Sequence, residues 1–190
     1  MGNYLVTLTN LSSIPSIIYF YKEGKNYYAS QILLTSAFSF LHHINTSGVV
    51  TIYDNGLFNF LDGLYSYWLI YLFAIYLLLS NHNELDIAKS IVFTVLLSLV
   101  YLSMNFIFIL PIIGFICLFV CGSSYQKLNR ILFNNVYLYV VLFFCILDIT
   151  LFSLAYDYSD KYNYYHSAHH LISFMLPIFV DKYVTVSNQN

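Results

Sequence analysis

Long apolar runs separated by short polar stretches organise the chain from residue 4 onward. Set against the breakers between them, the runs predict helices over 4–21, 28–45, 57–80, 87–103, 105–121, 131–155 and 164–181. Each is close to the ~20 residues that cross the hydrocarbon of a bilayer. Hydrocarbon offers no partner for backbone N–H and C=O groups, so only helices and closed barrels satisfy them there. The expected fold class is an all-α membrane protein, one seven-helix transmembrane bundle spanning residues 1–190. The first run is the most polar, with Thr7, Thr9, Asn10, Ser12 and Ser13, and Pro15 predicts a kink in it. Only a tight turn near Ser103–Asn105 separates the fourth run from the fifth.

Composition sharpens this picture. Hydrophobic residues make up 59% of the chain and charged residues 8%, against about 25% charged in an ordinary soluble domain, which excludes a soluble globule. The stretch "MGNYLVTLTN" carries no basic residue and no small-residue cleavage pattern follows it, so the first helix is expected to stay in place and not to be removed as a signal peptide. The 3 cysteines, Cys117, Cys121 and Cys145, fall inside apolar runs and read as small core residues. With a net charge of -2 and no basic cluster, nucleic acid is excluded as a partner. Seven spans place Lys22, Lys25, Lys89, Lys127, Arg130 and Lys182 on one side and Lys161 alone on the other. Basic residues are retained in the cytoplasm, so the N-terminus is expected outside or in the lumen, and the tail "DKYVTVSNQN" in the cytosol. Many of the 20 tyrosines and 17 phenylalanines fall near helix ends, where an amphipathic ring suits the headgroup layer.

Ionisable groups inside a span cost several kcal/mol unless paired, hydrated or bound, so each needs a reason. His42 and His43 end the second predicted helix, Asp62 lies about a turn into the third, Asp148 is deep in the sixth, and His166, His169 and His170 open the seventh. Following the chain in and out, all but Asp148 arrive at the outer ends of their helices. Singly, each histidine reads as an anchor in the headgroups; converging from three helices, they read as a site. Asp148 has no basic partner evident in the sequence and is expected to be a neutral, hydrogen-bonded core carboxylic acid. Asp54 and His82 read as solvated loop residues, Asp54 remaining second choice to Asp62. Asn10-Leu-Ser and Asn45-Thr-Ser match the glycosylation pattern but lie in or at predicted helices.

His166 and His170 are one helical turn apart and can chelate a single ion; His169, three residues from His166, can replace His170 in that role, and spacing does not choose between them. Ser39 likewise lies one turn below His43, although a serine in a membrane helix commonly bonds back to its own helix carbonyls. Three imidazoles with an open fourth position suit zinc, which brings the pKa of bound water to about 7. Asp62 is placed to orient that water or accept its proton.

The order Ser39-x3-His43, then Asp62 in "FLDGLYSYW", then His166-x3-His170 across seven helices resembles the CREST superfamily, which groups alkaline ceramidases, progestin and adiponectin receptors and the transmembrane protein 8/myomaker proteins. "FSFLHHINTSG" and "YYHSAHHLISFMLPIFV" look most like the last branch. The resemblance implies zinc held by His43, His166 and His170, with Asp62 and Ser39 contacting or orienting its water. It implies hydrolysis of a lipid amide or ester, a membrane lipid as substrate, and residence in the plasma membrane or a secretory-pathway membrane. The chain departs from these relatives in three ways: the loop after His43 lacks their Cys and Gly-Pro-Gly pattern, the tail has no cysteine to carry lipid, and its 190 residues are expected to leave no room for the large extracellular domain of the bigger members. Two readings follow. One is a zinc-dependent lipid hydrolase working from the extracytoplasmic side, with Asp62 as general base. The other is a non-catalytic fusion or receptor-like protein in which zinc staples helices together.

Overall fold

A computed structural model describes residues 4–47, 55–79 and 136–189. Nearly all of these are helical and none is in a strand. The helices are α1 (Tyr4–Thr9), α2 (Ser13–Lys22), α3 (Asn26–Thr46), α4 (Asn55–Leu79), α5 (Val136–Asp157) and α6 (Tyr162–Gln189), with single 3-10 turns at Asn10–Ser12 and Ser159–Lys161. The helices expected over 87–103 and 105–121 lie outside the described residues, as do Asp54, His82, Cys117 and Cys121. Cys145 is partly buried and free.

The first expected helix is broken, and the break precedes the proline. Asn10 donates to the Val6 carbonyl at 3.2 Å and to that of Thr7 at 3.4 Å. Thr9 donates to Val6 at 2.8 Å and Ser12 to Thr9 at 2.6 Å. Side chains competing for the carbonyls of the preceding turn tighten the helix into a 3-10 step. Pro15 falls in the first turn of α2, where its missing N–H costs nothing.

α2 stops at a glycine. Gly24 adopts φ +71, Lys25 N–H bonds to the Phe20 carbonyl at 2.9 Å and Gly24 N–H to that of Tyr21 at 3.1 Å. This is a Schellman cap, which uses up the orphan carbonyls of the helix end and turns the chain back. α3 therefore packs against α2, with Phe20 stacked on Tyr28 at 5.6 Å between ring centroids.

The remaining pairs are set by aromatic rings and hydroxyls. Thr35 of α3 donates to the Tyr65 carbonyl of α4 at 3.2 Å, and Phe38 stacks on Tyr65 at 4.8 Å. α5 and α6 run antiparallel, with Phe144 on Phe179 at 5.0 Å and Tyr156 against Tyr162 at 6.2 Å. α2 and α6 run parallel, because Ser12 donates to the His170 carbonyl at 3.3 Å and Ser16, four residues on, to the carbonyl of Phe174. Pro177 lies inside α6 and lacks the N–H that the Ser173 carbonyl would otherwise receive.

Two compact units are distinguished, one of residues 1–66 and 139–179, the other of 67–138 and 180–190. The pairings above belong to the first. In the second, Trp68, Leu72, Phe73, Tyr183 and Val184 are buried, and Tyr76 donates to the buried carboxylate of Asp181. That bond bears on the expected cytosolic tail, since α6 does not end at 181 and continues through "DKYVTVSNQ" to Gln189.

Among the described helices α5 is long and apolar enough to cross a membrane, with 22 residues and a mean hydropathy of 2.4. At 1.5 Å per residue it is about 33 Å long, just over the hydrocarbon thickness. Val136, Tyr139, Leu142, Phe143, Ile146 and Ile149 are all exposed along it.

Gly24 has nothing within 4 Å of where a Cβ would stand, so its role is purely conformational. Gly24→Ala is expected to cost about 1 kcal/mol, the penalty of a left-handed alanine, read as a lower unfolding midpoint of the detergent-solubilised protein with the site unchanged.

Candidate metal and acid–base site

The antiparallel α2–α3, α3–α4 and α5–α6 pairs and the parallel α2–α6 pair carry several polar residues to one end of the first unit. These are Asn10 and Ser12 before α2, the last turns of α3, the first turns of α4 and the first turns of α6. Three imidazoles meet there. His43 and His166 have ring centroids 5.0 Å apart, His43 and His170 5.2 Å, and His166 and His170 4.7 Å. One ring nitrogen from each lies within 4.8 Å of the others, and all three residues are buried. Four nitrogens of the trio have no hydrogen-bond partner: both of His43, and Nδ1 of His166 and of His170. Tyr162 stacks on the His166 ring at 4.8 Å, and the Val6 carbonyl accepts a hydrogen bond from the His170 ring. The donor set fits a small cation that favours imidazole. Zinc–nitrogen bonds of about 2.0–2.1 Å ask for some closure of the trio. A backbone carbonyl on the far side of a ligating ring is the usual means of fixing its orientation.

Asp62 stands beside this group on α4, partly buried. Its carboxylate accepts hydrogen bonds from Ser39 of α3 and Ser66 of α4, and it is within electrostatic reach of His169 and Tyr162. Ser39, expected to bond to its own helix, points its hydroxyl across to Asp62. The Thr35–Tyr65 bond one turn earlier fixes the register that allows this.

His42, 4.9 Å from His43 between ring centroids, is not one of the trio. His169 is not one either. Its Nδ1 lies 2.8 Å from Asp148 of α5, and Ser173 donates to both oxygens of that carboxylate at 2.8 and 2.9 Å. The sequence reading of Asp148 as a core acid without a basic partner is therefore corrected, since the partner comes from another helix and a separation of 21 residues hides it. Ser173 and Ser66 were also missed; each lies one helical turn from a site residue, His169 or Asp62, which is the signal that could have found them. Of the glycosylation matches, Asn10 and Asn45 are both buried.

The family model described as "Protein of unknown function (DUF3522)" matches residues 3–171. The chain belongs to this family. The match takes in every residue of the trio, Asp62 and the Asp148–His169 pair, but stops before Ser173. No curated protein matches this DUF3522 chain.

Buried polar atoms without partners carry a desolvation cost of about 1–3 kcal/mol each, so the trio is expected to lower the stability of this DUF3522 protein. Thermal unfolding in detergent with a strong chelator present checks this. His43→Leu is expected to unfold at the same temperature as wild type or higher, whereas a histidine serving as an internal hydrogen-bonding strut would lower the midpoint on removal.

Proposed function

We propose that this DUF3522 protein is a multi-pass membrane hydrolase of the CREST type that cleaves a lipid amide or ester near the extracytoplasmic face. In this reading zinc is held by His43, His166 and His170. The observation that carries it is the buried imidazole trio, four of whose nitrogens have no partner, lying in the same corner as a carboxylate held by two serine hydroxyls. Zinc held by these three imidazoles would supply Lewis-acid polarisation of a carbonyl and a water acidic enough to react near neutral pH.

The chain's own residues do the rest. Asp62 is the general base; it accepts a proton from water and returns it to the departing amine or alcohol. Ser39 and Ser66 fix the plane of its carboxylate, so that a lone pair stays aimed at the reacting water. Tyr162 and the Val6 carbonyl hold the rings of His166 and His170 in place. Phe152 and Phe174 pack on the histidines at 5.0–6.3 Å between ring centroids and limit water around them. The exposed apolar side chains of α5 suit a hydrocarbon surround, and on the expected seven spans the basic residues, six against one, favour an N-terminus outside. A substrate whose acyl chains already lie in the bilayer reaches the trio laterally.

The rival reading keeps the zinc as a staple in a fusion or receptor-like protein. Asp62 with its two serine donors favours hydrolysis, since a purely structural site has no use for an oriented carboxylate beside it.

Elemental analysis and a lipid-hydrolysis assay on purified protein test the proposal together. About one zinc per chain is expected in wild type and little in His166→Ala/His170→Ala. Asp62→Asn should keep its zinc and lose at least about 100-fold in hydrolysis, the lower end of what a general base contributes. Undiminished hydrolysis in both His166→Ala and Asp62→Asn sinks the mechanism.

A further inference from the structure

α6 offers two histidine pairs for one ion, His166 with His170 and His166 with His169. Successive residues of a helix are about 100° apart, so His170 lies about 40° to one side of His166 and His169 about 60° to the other. Either can share a face with His166. Something outside α6 must select.

The neighbours on its two flanks differ. On the His170 flank stand the first helices. The Val6 carbonyl takes a hydrogen bond from the His170 ring and Ser12 holds the His170 carbonyl, while His170 Nδ1 is left without a partner. On the His169 flank stands α5. Asp148 occupies His169 Nδ1 at 2.8 Å, Ser173 donates to both oxygens of that carboxylate, and Phe152 packs on the ring at 5.0 Å. Ser173 shares its one hydroxyl proton between the two oxygens and His169 takes Oδ1, so the carboxylate is tied from two sides and the imidazole bonded to it is held as well. Commitment of Nδ1 alone would not bar His169, since a second hydrogen bond also orients true ligands; what sets it apart is that the ring so held lies against α5, and its nitrogens are not among those that converge with His43 and His166.

We infer that the Asp148–Ser173 pair is a latch that withholds His169 from the metal and so assigns the second α6 ligand to His170. Asp148 is a positioning residue here, acting on the ligand set through His169 without touching the ion. The inference rests on the metal-binding reading proposed above and extends it to residues that reading leaves aside. A chain with "HSAHH" and no latch has two competing coordination modes; the latch leaves one.

The latch predicts a rescue. Cobalt(II) is the probe, because four-coordinate cobalt gives visible absorption whose position and intensity report its ligands. Four forms of the full chain in detergent are titrated: wild type, His170→Ala, His170→Ala/Asp148→Leu, and the same double variant with His169→Ala. His170→Ala alone is expected to bind cobalt at least 100-fold more weakly than wild type, since its remaining candidate is tied to α5. Adding Asp148→Leu frees His169 and should recover 10-fold or more of that affinity, with a four-coordinate spectrum shifted from wild type. Removing His169 as well should abolish the recovery. A double variant that binds no better than His170→Ala, or a triple variant that binds as well as the double, overturns the latch while leaving the metal site standing. A folded wild type that binds no cobalt overturns both. Should Asp148→Leu fail to give a monodisperse helical protein, Ser173→Ala in its place loosens the same carboxylate, and the same recovery, smaller in size, is required of it.

Discussion

Four imidazole nitrogens without partners, gathered in one buried corner, are the constraint to which the rest of the first unit answers. At about 1–3 kcal/mol each, they cost an amount comparable to the whole stability of an ordinary domain. The surrounding contacts hold the rings in place without satisfying those atoms: Tyr162 stacks on one ring, Val6 bonds the far side of another, and Ser39 spends its hydroxyl on Asp62 instead of on His43. An arrangement that positions polar atoms yet leaves them bare is organised for something that arrives from outside, which is why the reading of the site turns on a cation.

Hydroxyls carry much of the helix-to-helix contact that holds this corner. Ser12 and Ser16 reach carbonyls of α6, Thr35 reaches one of α4, and Ser173 holds the acid of α5. Small side chains let backbones come close, and where the surround is apolar on both sides, hydrogen bonds and close packing supply the association that the hydrophobic effect does not. Ser16 reaches α6 at Phe174, just where Pro177 loosens the ladder of that helix. The outward residues of α5 and α2 are left to apolar side chains such as Ile146, Ile149, Ile14 and Ile18, all exposed.

The sequence carried the helices well where apolar length defines them, as at α3 and α4, whose ends fall within two residues of the expected ones, and at the C-terminal end of α5. It carried less where single polar residues decide. Pro15 drew attention as the breaker of the first helix, but the hydroxyls and amide of Thr9, Asn10 and Ser12 break it earlier. The charges at Asp181 and Lys182 looked like the end of the last helix, because a sequence does not show that Tyr76 covers Asp181. The spacing put His166 and His170 on one helix face, and the structure brings them together with His43, with Asp62 beside them. The fate of His169 was not legible, because it depends on Asp148 arriving from a different helix in one particular register. Local period reports what one helix can present, and the partner that accepts it is a property of the assembled unit.

The bonds from Ser12 and Ser16 to α6 join positions 158 residues apart in the chain. Synthesis makes Ser12, Ser16 and His43 well before His166 and His170, so a nascent chain carries His43 for an interval without the two histidines that complete the trio. The corner closes only when α6 has been made and has docked beside the opening helices. Under the metal-binding reading proposed above, cation uptake would follow that docking, so that occupancy would report chains whose helices have been correctly threaded.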